Sequence, residues 1–364
     1  MRILYDGQIY KYQAAGGITR YFANLINRLP QNFIPYLTIP QQKEVIYPIH
    51  PNLRACKYKL FSPLRLSQIG EKYYYQAITA LNKFDLAHPT YYCLLTQQEL
   101  NKYSCPVVLT VYDMIHEIFR DKIDPKGEHI QLKRKAILSV HKLICISENT
   151  KKDLIEWYSI PEDNIIVTYL AAGIDASLAY GNERVPSSPY YLYVGSRDPS
   201  YKNFDNLLLA FANIVSVYPE ITLCVVGYPF NETELKRITE LKLTDRIERY
   251  TYASDTHLAK LYRCSVAFVY PSFYEGFGIP PLEAMSCGTP VVASNCSSIP
   301  EVVGDAGLLF NPNSVSDLTD SLLFLFDNPI ERDRLIAKGF QRAKAFSWDK
   351  TVDQTLEVYY SLIA

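Results

Sequence analysis

Glu275 and Glu283 bracket the run Glu-Gly-Phe-Gly-Ile-Pro-Pro-Leu-Glu, eight positions apart. Gly276 and Gly278 permit close backbone approach to a ligand, and Pro280 and Pro281 suit the first turn of a helix. Glu283 then falls in that turn, beside free backbone N–H groups. One carboxylate on a loop, one on a helix and the amides of Gly276, Phe277, Gly278 and Ile279 between them would accept the vicinal hydroxyls of a sugar or a ribose. A glycine turn before a capped helix, with both glutamates in solvent, gives the same pattern.

Three further clusters carry chemistry. Gly195-Ser196-Arg197-Asp198-Pro199-Ser200-Tyr201-Lys202-Asn203 places two cations where a strand opens into a helix. Arg clamps a phosphate bidentately and Lys adds a point charge, so this reads as an anion site at a helix N-terminus, or as a solvated basic pair. Gly16 and Gly17, just before the helical pattern Ile18–Leu29, could turn bare amides toward a phosphate or simply start the helix. Tyr112-Asp113-Met114-Ile115-His116-Glu117 sets two acids and an imidazole behind a strand. They suit catalysis, or equally a cap (Asp113) and packing (His116).

Other chemistries lack their residues. The six histidines form no H-x3-H or H-E-x-x-H pair and no cysteine pairs with them, so no metal site is expected. D-x-D, the usual Mg²⁺–diphosphate motif, is absent, as are G-x-S-x-G, G-x-x-x-x-G-K-[ST] and G-x-G-x-x-G. A diphosphate would rest on Arg197, Lys202 and backbone amides.

The positioning elements alternate between short apolar runs and segments of period near 3.6. Strands are expected at Arg2–Asp6, Tyr36–Ile39, Asp85–His88, Val107–Tyr112, Leu143–Ser147 and Ile165–Tyr169. A second series follows at Tyr190–Gly195, Thr222–Gly227, Ile247–Tyr252, Val266–Tyr270, Pro290–Ser294 and Gly307–Phe310. Continuously apolar strands separated by helices read as parallel sheets covered on both faces. The expected fold class is α/β, with two doubly wound, Rossmann-like domains. The first spans 1–178, a polar linker 179–186, the second 187–345, and a last helix in 346–364 packs back on the first. Ligands of such domains lie outside the carboxyl ends of the strands, where all four clusters fall.

Composition limits the partners. The 364 residues are 48% hydrophobic and 21% charged with a net charge of −1, which argues against nucleic-acid binding by bulk electrostatics. The 8 cysteines are scattered without C-x-x-C, as buried free thiols of a reducing compartment are. The first residues are too short and polar a stretch for a signal peptide, and no apolar run approaches a membrane span. A cytoplasmic protein is expected, with a transient membrane-surface contact possible through Arg65, Lys72 and Tyr73–Tyr75. Tyrosine is in excess, 30 against 16 Phe and 2 Trp.

Taken together these residues resemble the family 4 glycosyltransferases of GT-B fold. The carriers are Val194–Arg197 with Lys202-Asn203, the Glu275–Glu283 run, the stretch from Ala284 through Cys287-Gly288-Thr289-Pro290 to Ser294, Pro300–Gly307, Phe346-Ser347-Trp348 and Ser147–Thr150. The likeness covers nearly the whole chain. It implies two domains facing a cleft and metal-independent, retaining transfer of a hexose from a nucleotide-sugar donor to a hydroxyl of a glycan or lipid-linked acceptor, with no cofactor. GDP-mannose and surface polysaccharide assembly come first, a UDP-sugar second.

By that likeness Arg197 and Lys202 hold the diphosphate, with Gly17 and its neighbour Gly16 touching it. Glu283 takes the ribose hydroxyls, and Glu275 lies beside the transferred sugar with Gly276, Phe277 and Gly278 lending amides. Gly195 belongs to the phosphate loop, and the loops at Gly227-Tyr228 and Tyr252-Ala253 meet the base. Tyr112 stands where the family often has a histidine facing the sugar, and its hydroxyl could bond there; His116 would lie toward the acceptor. Tyr112, Tyr201, Tyr228, Tyr252, Tyr270 and Tyr274 all fall in these loops, so part of the tyrosine excess is expected to serve the site. A sugar-binding protein, an epimerase, a phosphorylase and a dinucleotide oxidoreductase are the competing readings.

Overall fold

The computed structural model describes residues 1–13, 16–40, 47–178, 181–197, 200–251 and 253–363, with backbone alone at 200. They form two compact units, Met1–Leu170 with Ser347–Ala364, and Ala171–Phe346.

In the first unit, β1 (Arg2–Asp6), β2 (Ile34–Pro40), β3 (Arg54–Tyr58) and β4 (Leu86–Ala87) lie in the order β3-β2-β1-β4. β5 (Val108–Val111), β6 (Lys142–Cys145) and β7 (Ile165–Val167) continue outward, and a parallel bridge from Ala87 to Val107 sets β5 beside β4. All pairings are parallel, because each strand reaches the next through a crossover. β5 is buried along its whole length, as a strand covered on both faces must be. β3 differs: this edge strand reads Arg-Ala-Cys-Lys-Tyr and is largely exposed, so no apolar run announces it.

The last helix, Trp348–Ile363, belongs to this unit. Its Tyr359 hydroxyl sits 2.6 Å from His88 Nδ1 and 3.2 Å from the Tyr5 hydroxyl, and His88 Nε2 sits 2.8 Å from Thr110 Oγ1. His88 is fully buried, and burial pushes its imidazole down to about 3, so it is neutral. A satisfied network inside apolar walls fixes the helix against β1 and β4.

The second unit holds β8 (Tyr190–Val194), β9 (Thr222–Val226), β10 (Ile247–Tyr250), β11 (Ala267–Tyr270), β12 (Val291–Ser294) and β13 (Gly307–Phe310). Their order is β10-β9-β8-β11-β12-β13, all parallel. The helix Phe204–Val217 buries Leu207, Leu208, Phe211 and Ile214 against this sheet. The order reverses between β8 and β11, and in open α/β sheets ligands bind by the loops that leave the strands at such a switch point. Gly195–Asn203 and Glu275–Glu283 are those loops.

The break between units falls at Leu170 and Ala171, ahead of the linker expected at 179–186. Polar bonds hold the intervening chain to the second unit. Ala176 N–H donates to Ser286 O (3.1 Å), Arg263 Nη2 to Ala176 O (2.9 Å), and Lys260 Nζ to Glu183 O (2.7 Å).

Candidate functional site

Gly195 leaves β8 with φ +138° and its N–H donates to Val226 O at the end of the neighbouring strand β9. Gly227 follows β9; a Cβ there would lie 2.6 Å from Gly195 O and 3.1 Å from Arg197 Nη1. The two strand ends approach too closely for any side chain, which is why position 227 is glycine.

Arg197 is placed differently from a two-pronged phosphate clamp. Its side chain is buried, 3% exposed, with Nε 2.6 Å from Glu234 Oε1 and Nη2 2.7 Å from Tyr228 O and 3.0 Å from Pro229 O. Phe230 and Phe204 lie 4.5 and 5.5 Å from the guanidinium carbon. Nη1 alone has no partner among the described residues, so one nitrogen remains for a ligand. Glu234 escaped the sequence analysis. Asn231-x-x-Glu234 is legible as a capping box, which the structure contains, with Asn231 N–H donating to Glu234 Oε2 (2.8 Å). That the same carboxylate also holds Arg197 from 37 positions away has no local sequence signal.

Lys202 reaches the other loop. Its Nζ donates to Glu275 Oε1 (2.8 Å) and Oε2 (3.0 Å) and lies 5.0 Å from the Tyr201 ring. Asn203, at φ +58°, ties the loop to the chain leaving β11 and β13 by donating to Pro271 O (3.0 Å) and Pro312 O (2.8 Å). Asp198 and Pro199 lie outside the described residues.

Glu275 is 8% exposed. Its N–H donates to Ser297 Oγ (3.0 Å), and Ser298 Oγ donates to Glu275 O (2.8 Å) and Phe277 O (2.6 Å). These serines, also unremarked in the sequence, fix the Gly276–Gly278 backbone. The Tyr270 hydroxyl bonds to the Glu275 carboxylate; burial and then that charge hold the phenol well above its usual range. The same two causes push the nearby Cys296 thiol up to about 11. Gly278 stands at φ +131° before the helix Ile279–Ser286. Glu283 lies past the first turn of that helix, in which it was expected, because the helix already begins at Ile279; it is buried, 6% exposed, with Oε2 3.5 Å from the Tyr262 hydroxyl. Neither glutamate is a solvated helix-start residue.

The remaining tyrosines divide. Tyr228 is 76% exposed, Tyr201 and Tyr274 are buried, and Tyr252 lies outside the described residues.

In the first unit, Gly16 precedes the helix Gly17–Asn27, and the space around a Cβ at Gly17 is open. The Gly16 N–H donates to Thr19 Oγ1 (2.8 Å). Tyr112 departs from expectation: the ring is buried and its hydroxyl donates to Thr90 O (3.2 Å), so the hydroxyl turns into the core and not toward a sugar. His116 stacks on His129 at 3.7 Å, and the Tyr91 hydroxyl sits 2.7 Å from His129 Nε2. Burial lowers both imidazoles, His129 to about 4 with the neighbouring His116 as second cause. Lys133 Nζ donates to the Asp113 carbonyl and to Glu117 (2.9 Å) behind them.

The chain as a whole has relatives among known proteins. Residues 15–176 match the family described as Glycosyltransferase Family 4, and residues 181–342 match Glycosyl transferases group 1. The Escherichia coli O-antigen chain mannosyltransferase B is 32% identical over 287 residues, 76% of this chain and 72% of the relative. The chain is a family 4 glycosyltransferase. The enzyme is also 32% identical over 302 residues to the MMP α-(1→4)-mannosyltransferase of Mycolicibacterium hassiacum, covering 77% of this chain and 71% of that one. Among solved structures it is similar to a sucrose-phosphate synthase of Thermosynechococcus elongatus, with TM-score 0.80, 20% identity and coverage of 99% and 98%. It is similar also to Anabaena HepE in complex with UDP-glucose, with TM-score 0.74, 18% identity and coverage of 100% of both chains. The fold is GT-B. The enzyme is a hexosyltransferase.

Proposed function

We propose that the enzyme transfers mannose from GDP-mannose to a hydroxyl of a glycan acceptor in polysaccharide assembly, with retention at the anomeric carbon and without a metal ion. The observation that carries the sugar is the identity to two mannosyltransferases, each over more than two thirds of its length. A UDP-sugar is the second donor, favoured by the likeness to HepE in complex with UDP-glucose.

The roles follow from the second unit. Glu283, buried in the second turn of its helix, accepts from the ribose hydroxyls. The amides of Gly276–Gly278, Lys202 and Nη1 of Arg197 meet the diphosphate as it gains charge, each group contributing ~3–4 kcal/mol to the transition state. Glu275, held by Lys202 and Tyr270, accepts from hydroxyls of the transferred sugar. In a front-face displacement the anomeric carbon–diphosphate bond breaks and the bond to the acceptor oxygen forms on the same face. The acceptor's proton passes to the departing diphosphate.

Incubating the enzyme with radiolabelled GDP-mannose or UDP-glucose and mannosyl oligosaccharides tests this. Transfer from GDP-mannose alone, an α-linked product by NMR and a kcat about 10²-fold lower in Lys202→Ala are expected. An inverted product, or transfer only from a UDP-sugar, overturns the respective part.

A further inference from the structure

A groove of about 430 Å³ lies within the first unit, and the described residues that line it include none assigned to the donor. Three segments bound it: the chain leaving β1, with Gln8 and Lys11, the crossover from β4 to β5 at residues 92–100, and the helix Glu128–Ile137 with Ser139 just beyond it. The strand order of this unit reverses between the neighbours β1 and β4, and open α/β sheets take ligands where the chain leaves such a pair. The volume suits a small ligand, whose pockets span about 300–1,000 Å³.

The wall at residues 94–98 has a fixed and strained shape. Gln97 stands at φ +56°, in the left-handed region that favours glycine. The turn is held from behind. Gln97 N–H donates to Leu94 O (3.0 Å), Gln76 Nε2 to Thr96 O (3.0 Å), and Leu95 N–H to both oxygens of the Asp6 carboxyl (3.0 and 3.1 Å). Asp6 is 1% exposed, and burying a carboxyl group to fix a surface turn is unfavourable in itself. Strain that the surroundings over-determine in this way gathers at ligand clamps.

The lining identifies the class of ligand. Leu94, Leu95, Leu100 and Ala136 form an apolar floor, each at most 4% exposed. The rim carries the exposed amides of Gln97 and Gln98. Both lining lysines are paired, Lys135 with Glu99 and Lys11 with Glu71, so an anion meets no net positive field here. An amide donates and accepts at once, which matches neighbouring hydroxyls. A pyranose presents such hydroxyls around a C–H face that packs on leucines, and an apolar floor with a few placed polar groups is the pattern of a site for such a molecule. We propose that this groove binds a neutral oligosaccharide, a stretch of the acceptor glycan away from its reacting hydroxyl, with Gln97 and Gln98 bonding to hydroxyls above the leucine floor. The occupant rests on the reading of the acceptor as a glycan and is independent of the donor.

Titration calorimetry of the full chain, without donor, against α-mannotetraose and against maltotetraose as a second neutral probe tests it. Gln97→Gly is the decisive variant. Glycine suits the backbone at this position, so the thermal midpoint should be unchanged or higher, while the lost amide should weaken binding about fivefold. Gln97→Gly with Gln98→Ala should weaken it roughly 25-fold. In transfer assays the same variants should raise the KM for mannotetraose by those factors. The kcat, and the KM for methyl α-mannoside, which is too short to fill the groove and the reacting position together, should not change. A tetraose that binds the parent and is weakened by the variants upholds the groove even where transfer from GDP-mannose fails, a failure that falls on the donor reading alone. No binding of either probe, or variants that bind as tightly as the parent, overturns the proposal. A Gln97→Gly midpoint well below the parent's also overturns it, since Gln97 would then be structural. Weakened binding with an unchanged KM for mannotetraose overturns the assignment to the acceptor.

Discussion

Glu234→Gln separates the two jobs of one carboxylate. Oε1 now takes Arg197 Nε at 2.6 Å and Oε2 takes Asn231 N–H at 2.8 Å. An amide has one acceptor oxygen for these two donors, and it removes the charge opposite a side chain only 3% exposed. Breaking a fully buried pair from one side costs about 3–5 kcal/mol. Glu234 is 15% exposed, and Nη2 keeps two carbonyl acceptors, so the expected loss is about 2–3 kcal/mol, a fall in Tm of roughly 5–10 °C for a unit of this size. Urea denaturation gives the number directly. The double variant Arg197→Met, Glu234→Gln removes both charges and leaves an apolar side chain between Phe204 and Phe230, so it should recover most of the loss. With Arg197 Nη1 no longer fixed, the KM for the donor should rise in the single variant. A single variant within 0.5 kcal/mol of the parent by the same standard, or a double variant as unstable as the two singles summed, would refute the pairing as what positions Arg197.

Two further outcomes follow from the first unit. Tyr112→Phe removes a hydroxyl bonded to Thr90 O, so it should cost about 1 kcal/mol of stability and leave transfer kinetics unchanged; a large fall in kcat would return that hydroxyl to the sugar. The second outcome concerns acid stability. His88 is held neutral in the fold down to about 3, while in the unfolded chain it takes a proton below about 6.5. The unfolded state therefore binds more protons across that window and stability falls as pH drops. Burial raises the Asp6 carboxyl to about 7, which acts oppositely, its contribution being present below about 4 and lost as pH rises to 7. His88→Gln, less stable than the parent at pH 7, should lose about 2 kcal/mol less between pH 7 and pH 5. Parallel pH profiles for the two proteins would exclude His88 as the source.

Most strands visible in the sequence were those whose burial makes them apolar, the half-exposed edge strand β10 (Ile-Glu-Arg-Tyr) being an exception. All twelve expected strands are present, and β3 was hidden because an exposed edge carries Arg54 and Lys57, as edges that avoid pairing do. The loops carrying the glutamates and the two cations were legible because glycines, prolines and charges at a strand end have few other uses. What the charged groups touch was not legible: Arg197 meets Glu234 and Lys202 meets Glu275 across 37 and 73 positions. The tyrosine excess likewise changed meaning. Tyr190, Tyr191 and Tyr75 lie outside the expected site loops, fully buried, with their hydroxyls donating to Leu261 O, Leu322 O and Ile39 O. A phenol can enter a core wherever a carbonyl at the end of its reach accepts the proton, and that reach is a property of packing.

Thermal unfolding with nucleoside diphosphates tests the central claim most directly, that the second unit holds a nucleotide-sugar donor through Glu283. At a hundredfold excess over its Kd a ligand adds about 2.7 kcal/mol, roughly 5–10 °C for a unit of this size. The account predicts that GDP raises the midpoint of the parent by that amount and leaves Glu283→Ala unmoved. A parent indifferent to GDP, UDP and ADP, or a Glu283→Ala variant shifted as far as the parent, would contradict it.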